Sequence, residues 1–136
     1  MTDAAKKTIL VVEDEEDVRQ FLVMALEDAG YQVYAAEEGR QALKFIQRER
    51  PDLITLDLIM PNKTGISLYG DLRRSTSEFK DIPIIVITGV DQRSKGIISF
   101  RELLENKKSV AQPEAYLVKP IRADELLDAV RKALNA

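Results

Sequence analysis

Short runs of apolar residues alternate along the chain with longer segments in which apolar residues recur every three or four positions. The short runs predict five β-strands, at residues 9–12, 31–36, 53–56, 82–87 and 115–118. The longer segments predict five amphipathic helices, because residues three or four apart share one helix face. Their apolar positions are Val18, Phe21, Leu22, Ala25 and Leu26, then Ala42, Phe45 and Ile46, then Ile66, Tyr69 and Leu72, then Ile97, Phe100 and Leu104, and finally Leu126, Leu127, Val130 and Leu134.

Most of the predicted strands are apolar without polar alternation, which is typical of strands buried on both faces. Strands of this kind that alternate with helices predict a parallel sheet covered by helices on both sides. Residues 31–36 alternate between apolar and polar positions, so we expect this strand at an edge of the sheet. The prediction is one α/β domain over residues 1–136, with an ordered core at about 7–135.

Composition narrows the chemistry that this domain could perform. The 136 residues contain no cysteine and no histidine, which excludes thiolate and imidazole nucleophiles and the commonest ligands of transition metals. The net charge of −3, with acids and bases interspersed, does not predict nucleic-acid binding. No apolar run is long enough to span a bilayer, and the N-terminus lacks a signal-peptide pattern, so we expect a cytoplasmic protein.

Polar residues follow four of the predicted strands at the point where each strand ends. The first strand leads into Glu13 and Asp14, the third into Asp57, the fourth into Thr88, and the fifth into Lys119. Ligands of open parallel sheets bind at the carboxyl ends of the strands. We therefore expect three carboxylates, a hydroxyl and an ammonium group to lie together at one edge of the sheet.

The predicted cluster suggests phosphoryl transfer. Three neighbouring carboxylates repel one another unless a cation compensates their charge, and the oxygen-rich site favours Mg²⁺ or Mn²⁺. Lys119 could neutralise a phosphoryl group, and the Thr88 hydroxyl could donate a hydrogen bond to it. The nucleophile must then be a carboxylate, and Asp57 is the best candidate because it lies on the middle strand of the cluster.

Each of these residues has an ordinary explanation when it is taken alone. Acidic residues at a helix start stabilise the helix dipole, and this interpretation is preferred for Glu15, Glu16 and Asp17. Threonine and tyrosine are common in strands, lysine is common on surfaces, and an aspartate ahead of a proline can form a turn. Their joint placement at successive strand ends favours a functional role for a smaller set, which is Glu13, Asp14, Asp57, Thr88 and Lys119.

Four motifs together resemble a known family. They are "TILVVEDEEDV", "DLITLDLIMPNKTG", "IPIIVITG" and "AYLVKP", and they extend over nearly the whole chain. In this combination the chain resembles the receiver domains of response regulators in bacterial two-component signalling. The resemblance implies a flavodoxin-like, doubly wound sheet of five parallel strands in the order 2-1-3-4-5.

The resemblance also implies how the acidic residues act. Asp57 would be the phosphoacceptor, and it would take a phosphoryl group from a sensor histidine kinase or a histidine phosphotransfer protein. Glu13 and Asp14 would be the acidic pair that binds Mg²⁺ together with Asp57, and the backbone carbonyl of Ile59 would complete the protein ligands.

A switch is the second implication of the resemblance. Lys119, ahead of a cis Pro120, would hold the phosphoryl group, and Thr88 and Tyr116 would be the switch pair. Their movement would reshape a protein-interaction surface around the fourth helix and the fifth strand. The implied partner is an unknown downstream protein, with no direct nucleic-acid or membrane contact, and a phosphorylation-dependent homodimer is left open.

Two features depart from the usual family pattern. The interval from Thr88 to Lys119 is long and carries "ENKKSVAQPEAY" where a small, glycine-containing stretch is common, so residues 91–114 predict an enlarged region between the fourth and fifth strands. Ile59 and Val90 are apolar at positions where polar side chains could orient a hydrolytic water. We therefore expect slow self-dephosphorylation.

Three other function classes were weighed against the phospho-accepting domain. A Mg²⁺-dependent phosphatase or phosphotransferase would usually need an acid two residues beyond its nucleophile, where this chain has Ile59. A degenerate receiver would bind partners without being phosphorylated. A nucleotide- or flavin-binding module would need a glycine- or hydroxyl-rich phosphate loop after the first strand, where this chain has "EDEEDV".

Overall fold

The computed structural model describes residues 6–58, 65–74, 76–89 and 112–135. The five strands are β1 (Thr8–Val12), β2 (Gln32–Ala36), β3 (Leu53–Asp57), β4 (Ile84–Thr88) and β5 (Ala115–Val118). The helices are α1 (Glu16–Asp28), α2 (Gly39–Glu49), α3 (Gly65–Arg73) and a C-terminal helix (Ala123–Asn135). The predicted helix with Ile97, Phe100 and Leu104 lies outside the described residues, as do Ile59 and Val90.

All five strands pair in parallel, in the order β2-β1-β3-β4-β5. This confirms the predicted fold class and the position of the second strand at an edge. Because β1 and β3 are neighbours although β2 lies between them in sequence, the chain winds outward in both directions from β1 and β3. The carboxyl ends of β1 and β3 therefore lie side by side at the point where the winding reverses, which is where such sheets bind ligands.

Side-chain alternation divides the core into two layers on opposite faces of the sheet. Leu10 and Ile54 point to one face, where they pack with α2 and α3, and Ile9 and Leu53 point to the other, where they pack with α1 and the C-terminal helix. Apolar residues on both faces explain why these strands read as continuous apolar runs. No helix among the described residues is long and apolar enough to cross a membrane.

Two predictions of detail are wrong. The fourth strand begins at Ile84 rather than at residue 82, so Pro83 precedes the strand. Phe21 of α1 and Ile66 of α3 were expected on buried helix faces, but each is 38% exposed. Both lie at the margins of the buried stripes, which are formed by Leu22 and Leu26 in α1 and by Leu68, Tyr69 and Leu72 in α3.

Candidate functional site

The carboxyl edge of the sheet brings together residues that are far apart in sequence. Glu13 follows β1 directly, Asp57 is the last residue of β3, and Lys119 follows β5. The Lys119 Nζ donates a hydrogen bond to Glu13 Oε2 at 3.0 Å and lies 3.5 Å from Asp57 Oδ2. All three side chains are largely withdrawn from solvent, so their charges interact with little screening.

Four carboxylates lie close together at this edge, and three of them, Glu13, Glu15 and Asp57, contact the Lys119 ammonium group. Glu13, Asp14, Glu15 and Asp57 each offer one oxygen atom, and these atoms all lie within 4.8 Å of one another. Among the described residues, Glu13 Oε1 and Asp14 Oδ1 are buried and have no hydrogen-bond partner. Buried carboxylate oxygens without a partner are costly to the fold, and a bound cation would satisfy them.

The excess of negative charge at this edge shifts the pKa values of Glu13 and Lys119. Burial and the neighbouring charge of Asp57 raise the pKa of Glu13 from 4.5 to about 7, against the opposing effect of Lys119. Burial alone would lower the pKa of Lys119, but the hydrogen bond to Glu15 and the charges of Asp57 and Glu13 raise it overall. Lys119 therefore remains charged near neutral pH, whereas Glu13 is close to its titration point.

A side chain of α1 fixes the loop between β1 and α1 through hydrogen bonds. Arg19 donates hydrogen bonds from Nη1 to the backbone carbonyls of Glu13 at 3.1 Å and Asp14 at 3.3 Å. The Glu15 backbone N–H donates to Glu13 Oε2 at 3.2 Å. The role of Arg19 could not be predicted, because a single arginine on a helix is usually a solvated surface residue.

The backbone next to Asp57 depends on a glycine. A methyl group at Gly65, the first residue of α3, would lie 1.9 Å from the Asp57 carbonyl oxygen and 2.6 Å from the Leu58 Cα. The Ile66 N–H also donates to the Leu58 carbonyl at 3.2 Å. The start of α3 therefore packs directly on the end of β3, which only glycine allows.

The remaining predicted residues, Thr88 and Tyr116, lie on β4 and β5. Thr88 ends β4, and its backbone is in register with Val118, but its side chain lies outside what the structure describes. Tyr116 is half-buried on β5, and its hydroxyl donates to Gln112 Oε1 at 2.9 Å. The peptide bond between Lys119 and Pro120 is cis, as the resemblance implied.

Glu15 is the site residue that sequence reasoning assigned to the wrong group. It was interpreted as a helix-start residue, but its Oε1 accepts a hydrogen bond from the Lys119 Nζ at 2.6 Å. A run of acidic residues at a helix start does not show which of them turns back toward the sheet. The preferred interpretation remains consistent for Glu16 and Asp17, which lie in the first turn of α1.

The chain was compared with protein families, curated proteins and solved structures. The family model "Response regulator receiver domain" matches residues 9–131. The response regulator MprA of Mycolicibacterium vanbaalenii is 37% identical over 127 residues, which cover 93% of this chain and 50% of that protein. The phosphate regulon transcriptional regulatory protein PhoB of Pseudomonas aeruginosa is 34% identical over 129 residues, which cover 95% of this chain and 52% of that protein.

A similar structure is the chemotaxis protein CheY4 of Vibrio cholerae, with a TM-score of 0.76 and 30% identity, covering 95% of this chain and 99% of that one. The chain spans about half the length of the curated regulators that it matches. The parallel sheet in the order 2-1-3-4-5 and the acidic edge agree with these similarities. The chain therefore belongs to the response regulator receiver domains, the phospho-accepting signalling domains of two-component systems.

Proposed function

We propose that Asp57 is the phosphoacceptor of this receiver domain. The observation that carries the proposal is the Asp57 carboxylate at the end of the central strand, fully buried, with the Lys119 ammonium 3.5 Å away. A charged carboxylate at such a position has no role in packing, and the apolar residues of β3 behind it hold it still. The whole chain, residues 1–136, is proposed to act as this one domain.

Glu13, Asp14 and Asp57 are suited to hold Mg²⁺, together with the Ile59 carbonyl, which lies outside the described residues. The fit rests on the buried oxygen atoms Glu13 Oε1 and Asp14 Oδ1, which have no other partner among the described residues, and on an all-oxygen donor set. Such a donor set favours Mg²⁺, and it also accommodates Mn²⁺. When bound, the ion would neutralise charge on the carboxylates and on phosphate oxygens.

The proposed reaction is an in-line displacement at phosphorus. An Asp57 carboxylate oxygen forms the new bond to phosphorus as the bond to the donor nitrogen of a phosphohistidine breaks, and the electron pair leaves with the imidazole. Lys119 stabilises negative charge on the phosphoryl oxygens without losing its proton, because its pKa is raised. These 136 residues contain no histidine, so the phosphohistidine has to lie outside them.

Thr88 and Tyr116 are proposed as the switch pair that reports the phosphorylation. Thr88 lies on β4 and Tyr116 on the neighbouring edge strand β5, where Tyr116 is in register with Val86 of β4. The hydrogen bond from the Tyr116 hydroxyl to Gln112 links the ring to the segment that leads into β5. Movement of this ring would therefore reshape the surface around β5, the surface offered to a downstream protein.

The proposed function requires two kinds of partner, one that supplies the phosphoryl group and one that recognises the phosphorylated form. A sensor histidine kinase or a histidine phosphotransfer protein would supply the phosphoryl group, and a downstream protein would recognise the phosphorylated form. Direct contact with nucleic acid is not proposed for the described residues, and a phosphorylation-dependent homodimer is an outcome that sedimentation of the phosphorylated form would show.

Intact-mass measurement after treatment with a small phosphodonor and Mg²⁺ tests the proposal. We expect a gain of one phosphoryl group in the wild type and no gain in Asp57→Asn. Repeated release of phosphate would favour a phosphatase instead. A wild type that gains no mass would indicate a degenerate receiver that only binds partners.

The lifetime of the phosphorylated form is a second proposed property. Ile59 and Val90 lie outside the described residues, so the expectation rests on their apolar side chains alone. We expect the phosphoryl group to persist for many minutes or longer after the donor is removed. Intact-mass measurements over time would contradict this expectation if the phosphoryl group were lost within seconds.

A further inference from the structure

The shortest contact of Lys119 is with the carboxylate that the proposed reaction does not use. Its Nζ lies 2.6 Å from Glu15 Oε1, compared with 3.0 Å from Glu13 and 3.5 Å from Asp57. The Glu15 side chain is 48% exposed, whereas those of Glu13 and Asp57 are 1% and 0% exposed. An exposed glutamate therefore turns inward to the ammonium group, although water is available to it.

The position of Glu15 at the start of α1 does not explain this orientation. Glu15 occupies the N-cap position, but its side chain makes no capping hydrogen bond. Glutamate is also a poor N-cap compared with serine, threonine, aspartate or asparagine. The hydrogen bond from the Lys119 Nζ therefore contributes to the orientation of this carboxylate.

The number of donors on Lys119 makes this contact relevant to phosphorylation. An ammonium group has three N–H donors. Two of them donate to Glu13 and Glu15, and Asp57 lies at the longer distance of 3.5 Å. One donor therefore remains for a phosphoryl group on Asp57, but the ammonium group lies 2.6 Å from Glu15 and 3.5 Å from Asp57, so the Glu15 contact acts through the position of the ammonium group.

We propose that Glu15 is a positioning residue that holds Lys119 away from the Asp57 carboxylate in the resting domain and thereby slows phosphorylation. This inference rests on the proposed role of Asp57 as the phosphoacceptor. When a phosphoryl group arrives, Lys119 exchanges the Glu15 carboxylate for phosphoryl oxygens, and Glu15 returns to solvent. The exposure of Glu15 makes this exchange inexpensive, because its carboxylate can be hydrated at once.

The first test compares rates of phosphorylation by a small anionic phosphodonor at saturating Mg²⁺. Glu15→Gln should be phosphorylated roughly two- to five-fold faster than the wild type, which corresponds to the loss of one partly exposed ion pair. Glu15→Asp keeps the charge but has a shorter side chain, so it should also be faster. Glu16→Gln is the matched control, because Glu16 is exposed, adjacent and hydrogen-bonded to Gln20, and its rate should not change.

Three outcomes of this test would overturn the proposal. One is a Glu15→Gln variant that is no faster than the wild type. Another is equal acceleration by Glu16→Gln, which would show a general effect of negative charge. The third is a wild-type rate for Glu15→Asp beside a faster Glu15→Gln, which would assign the effect to charge and not to the contact.

The second test needs neither Mg²⁺ nor a phosphodonor. Hydrogen exchange of the Lys119 ammonium, followed by ¹⁵N NMR in the metal-free protein, should be faster in Glu15→Gln and unchanged in Glu16→Gln. Equal exchange in the wild type and Glu15→Gln would overturn the proposed hold on Lys119. A wild type that is never phosphorylated would instead overturn the role of Asp57, and the exchange measurement would still report on the contact.

Discussion

At the amino edge of the sheet the buried Arg73 guanidinium meets one carboxylate and two carbonyl groups, whereas at the carboxyl edge three carboxylates contact one ammonium and a fourth carboxylate lies beside them. Both groups are buried, and both join elements that are far apart in sequence. Arg73 ends α3, and its partner Glu114 lies 41 residues later, directly before β5. The positive charge is therefore matched by one carboxylate at the amino edge and outnumbered by carboxylates at the carboxyl edge.

The charge at the amino edge is matched by partners. Arg73 donates from Nη1 to the carbonyls of Lys80 and Ile82, both at 2.6 Å, and from Nη2 to Glu114 Oε1 at 3.0 Å. The same Glu114 oxygen accepts the Ile84 N–H at 2.7 Å. One positive charge meets one negative charge, and the nearby backbone groups at the start of β4 are paired by the same side chains.

Tyr69 closes this cluster on the side of α3. Its ring lies 5.4 Å from the Arg73 guanidinium carbon, and its hydroxyl is 3.4 Å from Arg73 Nε. Burial raises the pKa of Tyr69 to about 12, although the hydrogen bond to Arg73 opposes this effect. Tyr69 therefore stays neutral at any ordinary pH and adds no charge to the balanced pair.

The charged residues of the amino edge stabilise the fold, whereas those of the carboxyl edge are suited to bind a ligand. A balanced and hydrogen-bonded pair fixes the ends of α3, β4 and β5, and it leaves nothing for a ligand to do. A surplus of carboxylates with buried oxygens lacking partners costs stability, and it is retained where a ligand relieves it. The following predictions test this distinction.

Replacing Arg73 should give the largest effect. Arg73→Met removes the positive charge beside Glu114, which keeps its hydrogen bond from the Ile84 N–H, and it removes the donor to the carbonyls of Lys80 and Ile82, so we expect a loss of about 3–5 kcal/mol in the free energy of unfolding. Urea unfolding in the absence of Mg²⁺ measures it. A variant that does not fold at all would still agree with the direction.

The neighbouring residue supplies a matched control. Arg74 pairs with Asp71 on the surface, and the Arg74 side chain is 66% exposed. Arg74→Met removes the same group one position along the chain and should cost less than about 0.5 kcal/mol. Equal losses from the two substitutions would show that the amino edge is not a structural charge cluster.

The next effect concerns the pH dependence of the metal-free protein. The folded-state pKa of Glu13 is about 7, against 4.5 for an unperturbed glutamate, so the folded state binds more protons than the unfolded state between these values. Glu13 therefore favours folding at low pH, and the stability falls as the pH rises through this window. The expected change is roughly 2–3 kcal/mol.

Glu13→Gln isolates this contribution, because glutamine does not titrate. The variant should be more stable than the wild type at pH 8, and the difference should shrink toward pH 5, as measured by urea unfolding in the presence of a chelator. A difference that does not depend on pH would contradict the raised pKa.

Thr55 should give the smallest effect. It is buried on β3 two residues before Asp57, and among the described residues its hydroxyl oxygen has no hydrogen-bond partner. Thr55→Val keeps the shape and removes the hydroxyl, so we expect a gain of up to about 1 kcal/mol in unfolding free energy and no change in phosphorylation. A clear loss of stability would show that this hydroxyl has a partner that holds it.

The sequence alone was enough to predict the carboxyl edge of the sheet, because strand ends can be read from apolar runs and a parallel sheet gathers them on one side. Glu13, Asp57 and Lys119 were found in this way. The sequence could not show Glu15 on Lys119, because neighbouring acids at a helix start look alike. The amino edge was missed entirely, since nothing local in the sequence pairs Arg73 with Glu114.

Unfolding by urea at pH 8, with and without Mg²⁺, tests most directly whether the surplus charge at the carboxyl edge is there for a ligand. We expect millimolar Mg²⁺ to stabilise the wild type by at least about 1 kcal/mol and to give much less stabilisation in Asp57→Asn, which lacks one of the carboxylates. Equal stabilisation of the two proteins, or none in the wild type, would contradict it.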